Sequence, residues 1–495
     1  LDFILCTAWV IARLCERTEA NAKRRTSPMT PAWLLTINMK RIFLQSSILL
    51  ALGLAGCTPA ASERTFDVPL EEPTRADRPS EMIVADYQQS KRRDDLQTQM
   101  DWPVLFGPHR TGATQASIPA VWPEQGPALR WDVEVGTGYG SPVTAENRVV
   151  FSHRVDDLEW IQCHDAQDGA VRWKHSLETD AECDFEYSDG PYSTPLIDQE
   201  RRAVYHFSGS GTLVSLDFDT GEEVWRRDLH GEFQVEPELF PSGATPLLHG
   251  EHLILSLGGA NNDAGIIAIH VRDGKTIWSC TDHKAAYTTP VVAQLFGQEF
   301  AFVMTAEGLV CLDPANGEVD WEIPHRSRAP MSYNSVSPLV WNDHVLMVTG
   351  PGPGAVCLQI LPDRSYEERW KNRRLLDSQY TNLLLSDGHV FGFTSAGQGG
   401  AELRCIEFVT GELKWKYHSV LRRSQGLIAG DAMFFLGERG HLASLQRSIE
   451  EPRVLSFTQQ PLMKADCYCS PAILKNGIVL KDEDRIAVFD LPPSP

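Results

Sequence analysis

Positive charge is scarce in this chain. Its 495 residues hold 45 Lys and Arg against 66 Asp and Glu, a formal net charge of -21. Seven Lys or Arg against three Asp or Glu fall in residues 1–57, so the remainder is more acidic still. Affinity for nucleic acid is largely cationic neutralisation of phosphate, and anionic lipid heads ask for the same charge. The balance therefore excludes DNA, RNA and a basic membrane-docking face. Cysteine is also thin, 11 residues with no two adjacent. Catalytic signatures are missing: there is no Walker loop, no dinucleotide fingerprint and no nucleophile elbow. "HGEH" at 249–252 lacks the i, i+4 histidine spacing of a helical zinc site and reads as the polar junction between two strands, and "GPGPG" at 350–354 reads as a turn.

Long apolar runs are absent as well. The most apolar stretch, Ile42 to Leu54 behind Lys40 and Arg41, is too short to span a bilayer and reads as an export signal starting at Met39. It ends in Leu54-Ala55-Gly56-Cys57, which resembles the lipobox of bacterial lipoproteins and makes Cys57 the expected lipidation site. An ordinary signal peptide with a chance cysteine is the alternative. Thr58 in place of Asp favours sorting to the outer membrane, with the protein facing the periplasm. Residues 1–38 fit poorly ahead of such a signal and read as an upstream extension, 39–57 as the signal peptide. Residues 58–100, polar and proline-rich, read as a flexible tether with room for a short helix in 82–98.

What the remainder does have is a repeat. "AQDGAVRW", "DTGEEVW", "RDGKTIW", "ANGEVDW" and "VTGELKW" each place a tryptophan four residues after a glycine: Trp173, Trp225, Trp278, Trp321 and Trp415. A second marker keeps the same step. Ser141-Pro142, Thr194-Pro195, Thr245-Pro246, Thr289-Pro290, Ser337-Pro338 and Ser470-Pro471 each open a β-rich run, with weaker versions at Asn382-Leu383 and Gln425-Gly426. Within each unit lie short runs rich in Val, Ile, Phe and Trp between Gly, Asp and Asn turns, with no helical period. A four-stranded antiparallel unit of this size cannot bury both faces alone, but stacked around an axis each sheet covers its neighbour. The prediction is an all-β, eight-bladed β-propeller over residues 101–491.

In that fold the glycine supplies a positive-φ turn between third and fourth strands, and the tryptophan on the outermost strand docks across the gap to an adjacent blade. Trp370 in "YEERW" takes the same place without the glycine, and Leu455 in "PRVLSF" is the candidate in unit seven. Unit eight runs out after three strands. Its fourth is expected to be "ALRWDVEV" at 128–135, with Trp131 docking, so that the ring closes without an exposed edge. Cys163, Cys311, Cys357 and Cys405 share one third-strand place with Ser215, Ala268, Ser444 and Ala487, a small, tightly packed position, which predicts buried thiols. Cys183, Cys280, Cys467 and Cys469 fall in connecting loops, their disulfide state open.

These residues resemble the pyrroloquinoline quinone (PQQ)-like propeller repeat family with its tryptophan-docking motif, and "DWPVLFGPHRTG" at 101–112 and "GTGYGSPV" at 136–143 resemble the lead-in segment of its bacterial envelope members. That family includes quinone-dependent dehydrogenases and non-enzymatic lipoprotein scaffolds of the outer-membrane barrel-assembly machine, so the resemblance leaves function open. The alcohol dehydrogenases hold PQQ against a disulfide between adjacent cysteines, stack it on an axial tryptophan and use Ca²⁺ with an Asp base. Here the nearest approach is Cys467-Tyr468-Cys469, and Trp102, Trp122, Trp160 and Trp341 are expected in the lead-in or in peripheral strands. No cofactor is expected on the scaffold reading, and PQQ with Ca²⁺ on the dehydrogenase reading.

Two features offer a binding site. Tyr139, Tyr192, Tyr287 and Tyr468 stand three residues before the strand-opening proline, and Tyr380 three before Leu383. They are expected as a partial ring at one mouth of the axial channel, either recognising peptide or sugar or packing on the neighbouring prolines to hold the loops. The loop "ETDAECDFEYSDG" carries Asp180, Glu182, Asp184 and Glu186, whose oxygens suit Ca²⁺ but whose spacing matches no EF-hand; a solvated acidic loop is the preferred reading and no metal is expected. The expectation is a non-catalytic, lipid-anchored envelope protein that binds a protein or peptide. A PQQ-dependent dehydrogenase and a carbohydrate-binding propeller are the alternatives.

Overall fold

The computed structural model describes residues 100–491 apart from 184, 186, 330–331, 395–400 and 465. Cys57, the signal, the tether and the two acidic residues Asp184 and Glu186 lie outside the described residues. The rest forms eight antiparallel sheets, the predicted blades. Blade one comprises Val143–Ala145, Arg148–Val155, Leu158–Asp165 and Val171–Glu178, in that order from axis to rim. Blade two opens at Leu196–Asp198, three at Leu247–His249, four at Val291–Leu295, five at Leu339–Trp341, six at Leu384–Ser386, seven at Ser424–Ala429 and eight at Ala472–Leu474. Seven sheets have four strands. Blade seven has a fifth, because Ala113–Thr114 of the lead-in pairs parallel to Ser424–Ala429 on the axial side.

Ring closure follows the sequence reading. Ala128–Glu134 pairs antiparallel with Arg485–Asp490, placing Trp131 opposite Val488. The core is a set of apolar layers, each shared by neighbouring blades. Val143, Ile161 and Trp173 of blade one meet Ile197, Val204 and Phe218 of blade two; the last layer joins blades seven, eight and one through Leu427, Phe434, Ile478, Val488 and Phe151.

Each docking tryptophan reaches across the gap to the following blade, where it lies on that blade's turn and not on its own. Trp173 leaves its own turn and lies on Gly221 of blade two, where an added Cβ would stand 2.6 Å from the indole. Trp131 covers Gly169, Trp225 covers Gly274, Trp278 covers Gly317 and Trp370 covers Gly411 in the same way. Each glycine therefore serves the preceding blade: its φ, +73° at Gly221, builds the turn, and its bare Cα lets the ring approach. Each indole N–H also donates to a carbonyl of the following blade, Trp131 to Ala166 (3.0 Å), Trp173 to Phe218 (2.9 Å) and Trp278 to Pro314 (3.1 Å) among them. Trp321 and Trp415 meet turns without glycine and keep the bond, to Arg364 (2.9 Å) and Ser448 (3.0 Å).

A bulge precedes each docking indole on its fourth strand, and in six blades the third-strand residue facing it is Cys, Ser or Ala; blade eight differs, since Val488 faces Trp131 and the expected Ala487 faces Asp132. Cys163 pairs with Trp173, Cys311 with Trp321, Cys357 with Trp370 and Cys405 with Trp415. All four are buried free thiols, and Cys183, Cys467 and Cys469 are free in loops; Cys280, expected in a loop, is also free but ends the fourth strand of blade three, paired with Ile266.

Leu455 does not take the docking place in blade seven. The register sets Ser456 opposite Ser444, the tryptophan position, and leaves Leu455 in the bulge. The gap is filled from the lead-in instead: Trp122 packs with Phe434 (ring centroids 6.5 Å), its backbone N–H donates to Ser456 Oγ (3.1 Å), and Ser444 Oγ donates to the Ala120 carbonyl. Trp341 also departs from expectation, since it ends the innermost strand of blade five instead of a peripheral one.

Candidate functional site

The Ser/Thr-Pro marker has a structural use that spacing alone does not reveal. The backbone N–H of Ser141 donates to Thr194 Oγ1 (3.0 Å), Thr194 to Thr245 Oγ1 (3.1 Å), Thr289 to Ser337 Oγ (3.0 Å), Ser337 to Asn382 Oδ1 (3.2 Å), Asn382 to Gln425 Oε1 (3.3 Å) and Ser470 to Ser141 Oγ (2.8 Å). Thr245 N–H to the Thr288 carbonyl (3.1 Å) and Ser470 Oγ to Gln425 Oε1 (3.4 Å) complete a belt around the axis. Every blade thus donates a hydrogen bond to, or accepts one from, both neighbours at the narrowest point, where unpaired polar groups would be costly.

One face of this belt carries the tyrosines. In antiparallel blades, the connections from fourth strand to next first strand, and from second to third, emerge on the same face. The five predicted rings all line a single cavity of about 130 Å³. Tyr139 touches Tyr192 and Tyr468 (5.0 and 5.1 Å between centroids), Tyr192 touches Tyr287 (5.8 Å) and Tyr468 touches Tyr380 (6.0 Å). Sequence reasoning missed three more aromatics. Tyr333 joins Tyr287 (5.4 Å) and Phe240 (5.3 Å), and Tyr187 joins Phe240 (5.7 Å) to Tyr380 (6.4 Å). Since Tyr187 leads into blade two and Tyr380 into blade six, on opposite sides of an eight-membered ring, that last contact bridges the mouth. Tyr187 is the most open of them, 41% exposed.

The opposite end is closed by the lead-in. Trp102 pairs with Thr144 of blade one, Pro103 accepts from Ile197 of blade two, Arg110 reaches Leu248 of blade three, and Thr111 and Gly112 accept from Leu385 and Ile428 of blades six and seven. All these partners sit at or near the far ends of innermost strands. Leu105, carried on this segment, reaches the cavity and forms its floor. The axial channel is therefore a dish with aromatic walls.

Its hydroxyls are held by the protein. Tyr192 donates to the Ser188 carbonyl (3.0 Å), Tyr468 to Glu438 (3.1 Å) and Tyr287 to the Phe240 carbonyl (3.5 Å), while Tyr139 accepts from Ser188 N–H (3.3 Å). Burial pushes all five predicted tyrosines well above the ordinary phenol range, so they are neutral donors or acceptors at any physiological pH. Arg423 lies over Tyr380 and Tyr468 (5.2 and 5.9 Å to the centroids) and is paired with Glu438.

Asp180 and Glu182 line a groove beside the dish with Glu236 and Glu238. Among the described residues no group of three or more His, Cys, Asp or Glu is placed to hold a metal. "HGEH" is the strand junction the sequence implied: His249 meets Glu299 (3.1 Å) and His252 the Pro314 carbonyl (3.2 Å).

Comparison with known proteins agrees with this geometry. The model of the family described as outer membrane protein assembly factor BamB matches residues 157–417. The chain belongs to that family. No curated protein matches it by sequence. Among solved structures, BamB from Moraxella catarrhalis is 14% identical with a TM-score of 0.52, over 74% of this chain and 98% of that one. A europium-containing methanol dehydrogenase is 11% identical with a TM-score of 0.58, over 79% and 98%. The quinohemoprotein alcohol dehydrogenase of Comamonas testosteroni is 13% identical with a TM-score of 0.55, over 80% and 81%. At such identities the likeness is one of fold, shared by scaffold and enzyme alike.

Proposed function

We propose that this BamB-family propeller is a non-catalytic scaffold that binds a protein or peptide on its aromatic face, anchored to the outer membrane through a lipid on Cys57 and facing the periplasm. The observation that carries the reading is the dish itself. Eight aromatic rings converge on one face, Tyr187 stands open at the centre, and the space beneath them is about 130 Å³, well below the ~300 Å³ and upward typical of small-molecule sites. Half-buried tyrosines on rigid supports suit macromolecular recognition, where large aromatic anchors supply most of the energy.

The dehydrogenase reading finds little support in the same residues. Among the described residues no carboxylate, Lys or Arg lines the cavity, so these offer neither the anionic oxygens that Ca²⁺ prefers nor a cation for the carboxylates of PQQ. No tryptophan among the described residues lines it either, and the side-chain oxygens of Ser141, Thr194, Thr245, Asn382 and Gln425 are engaged in the belt.

Capture of envelope proteins by the full chain tests the proposal. Tyr187→Ala is expected to reduce capture about tenfold or more with no change in melting temperature, since an exposed anchor contributes to binding and little to folding. Unchanged capture contradicts it. Dye reduction with alcohols or sugars after addition of PQQ and Ca²⁺ establishes the enzyme instead, and binding of envelope glycans quenched by Tyr187→Ala establishes the carbohydrate reading.

A further inference from the structure

The net charge of -21 conceals one basic cavity. Between the outer ends of blades four and five lies a groove of about 450 Å³ lined by Arg326, Arg328, Lys371 and Arg373. All four are exposed, and none meets a carboxylate among the described residues. Elsewhere on the protein arginines are commonly paired, as Arg202 is with Glu146 and Asp219 and Arg364 with Asp320. Four unpaired cations facing one space on an acidic protein repel one another unless an anion is present.

The backbone fixes both walls of the groove. His325 and Ser327 are buried and Arg326 and Arg328 exposed, the alternation of an extended chain. His325 Nε2 meets the Gly354 carbonyl (3.1 Å) and Ser327 Oγ donates to the Pro351 carbonyl (2.6 Å), fixing this segment against the Gly350–Gly354 turn. Across the groove Lys371 belongs to the outermost strand of blade five, Tyr366–Asn372, and Asn372 Oδ1 accepts from the N–H groups of Arg374 and Leu375 (2.9 and 3.1 Å), fixing the chain around Arg373. The wall carrying Arg326 and Arg328 therefore presents two cations at i and i+2, a step of about 7 Å along extended backbone, facing Lys371 at the end of its strand and Arg373 in the turn that follows. Pro324, Pro351 and Pro353 form flat apolar surfaces between them.

We infer that this groove binds an extended acidic peptide segment of a partner protein, with carboxylates at alternate positions. Alternate side chains of an extended peptide repeat at the same ~7 Å and point the same way. Guanidinium groups match carboxylates two bonds at a time. A single compact anion satisfies one pair and leaves the other unpaired. The groove shares its face with the aromatic dish, because the segment after blade four and the Gly350–Gly354 turn both emerge there. The two form one docking surface, aromatic at the centre and cationic at one flank. This deepens the scaffold reading and rests on it for the existence of a partner.

The test uses a fluorescein-labelled peptide with glutamate at every second position and the full chain, read by anisotropy. The wild type is expected to bind it, more tightly than a peptide of equal composition with its glutamates in one block, and less tightly as salt rises. The variant Arg326→Gln, Arg328→Gln, Lys371→Gln, Arg373→Gln, altered only at exposed positions, is expected to keep its melting temperature and lose roughly tenfold or more in affinity. Equal affinity of wild type and variant overturns the inference, as does binding to phosphatidylglycerol vesicles with none to the peptide. If the variant loses the peptide but the wild type captures no envelope protein, the groove stands and the scaffold reading fails. If capture depends on Tyr187 while the variant keeps the peptide, the scaffold stands and the groove fails.

Discussion

Substituting Gly221 by alanine isolates the contact that joins one blade to the next. The residue sits at φ +73°, and the new Cβ would stand 2.6 Å from the Trp173 indole, which is 6% exposed and bonded to the Phe218 carbonyl. A left-handed conformation costs an alanine about 1 kcal/mol. Forcing a packed ring aside adds about 2 kcal/mol, with the indole hydrogen bond at risk as it moves. The total is about 3 kcal/mol. Gly250 provides the matched control: its φ is +57°, and nothing lies within 4 Å of an added Cβ, so Gly250→Ala should lose only the backbone part, about 1 kcal/mol. Urea unfolding of the two variants, followed by tryptophan fluorescence, measures the difference directly. Equal losses would refute the relay.

Other consequences follow from the same geometry. Trp122→Ala should destabilise by about 4 kcal/mol, because it empties the gap beside blade seven, and adding Ser456→Trp should restore part of the loss, whereas the same change alone is harmful. His153, held down to about 3 by burial with Lys481 and Lys174 nearby, and His325, held down to about 4 chiefly by burial, stay neutral in the fold. Both take up protons in the unfolded chain below about pH 6.5, so their contribution is full above that pH and is lost as pH falls toward 4 and 3. Unfolding measured between pH 7 and 5 should show that slope, and His153→Gln should reduce it by about one proton, 1.4 kcal/mol per pH unit. The thiols of Cys163, Cys357 and Cys405, pushed up to about 12 by burial, should resist a thiol reagent until the protein unfolds, and a reductant should leave the melting temperature unchanged.

How much of this was legible depended on whether a residue repeats at a fixed offset. The indoles, the third-strand cysteines and five tyrosines do, because every blade poses the same packing problem at the same register. Trp131 was found by the same logic, since a blade lacking its fourth strand must borrow one. Trp122 was not: the vacancy at Ser456 shows in the sequence, but its filling comes from a segment 334 residues away with no repeat to mark it. Tyr187, Phe240 and Tyr333 sit in inter-blade connections at offsets of their own. A search for aromatics anywhere in those connections finds them, whereas a search three residues before the proline does not. The basic groove was hidden by averaging, because a net charge sums over surfaces that a partner meets one at a time.

The claim that a partner docks on the tyrosine face is tested most directly by a photo-crosslinking amino acid placed at Tyr187 in the full chain, beside a second variant carrying it at Gln167, an exposed turn residue on the opposite face. Covalent protein adducts from position 187 and none from 167 are the predicted result. Adducts from 167 alone, or from neither position, contradict it.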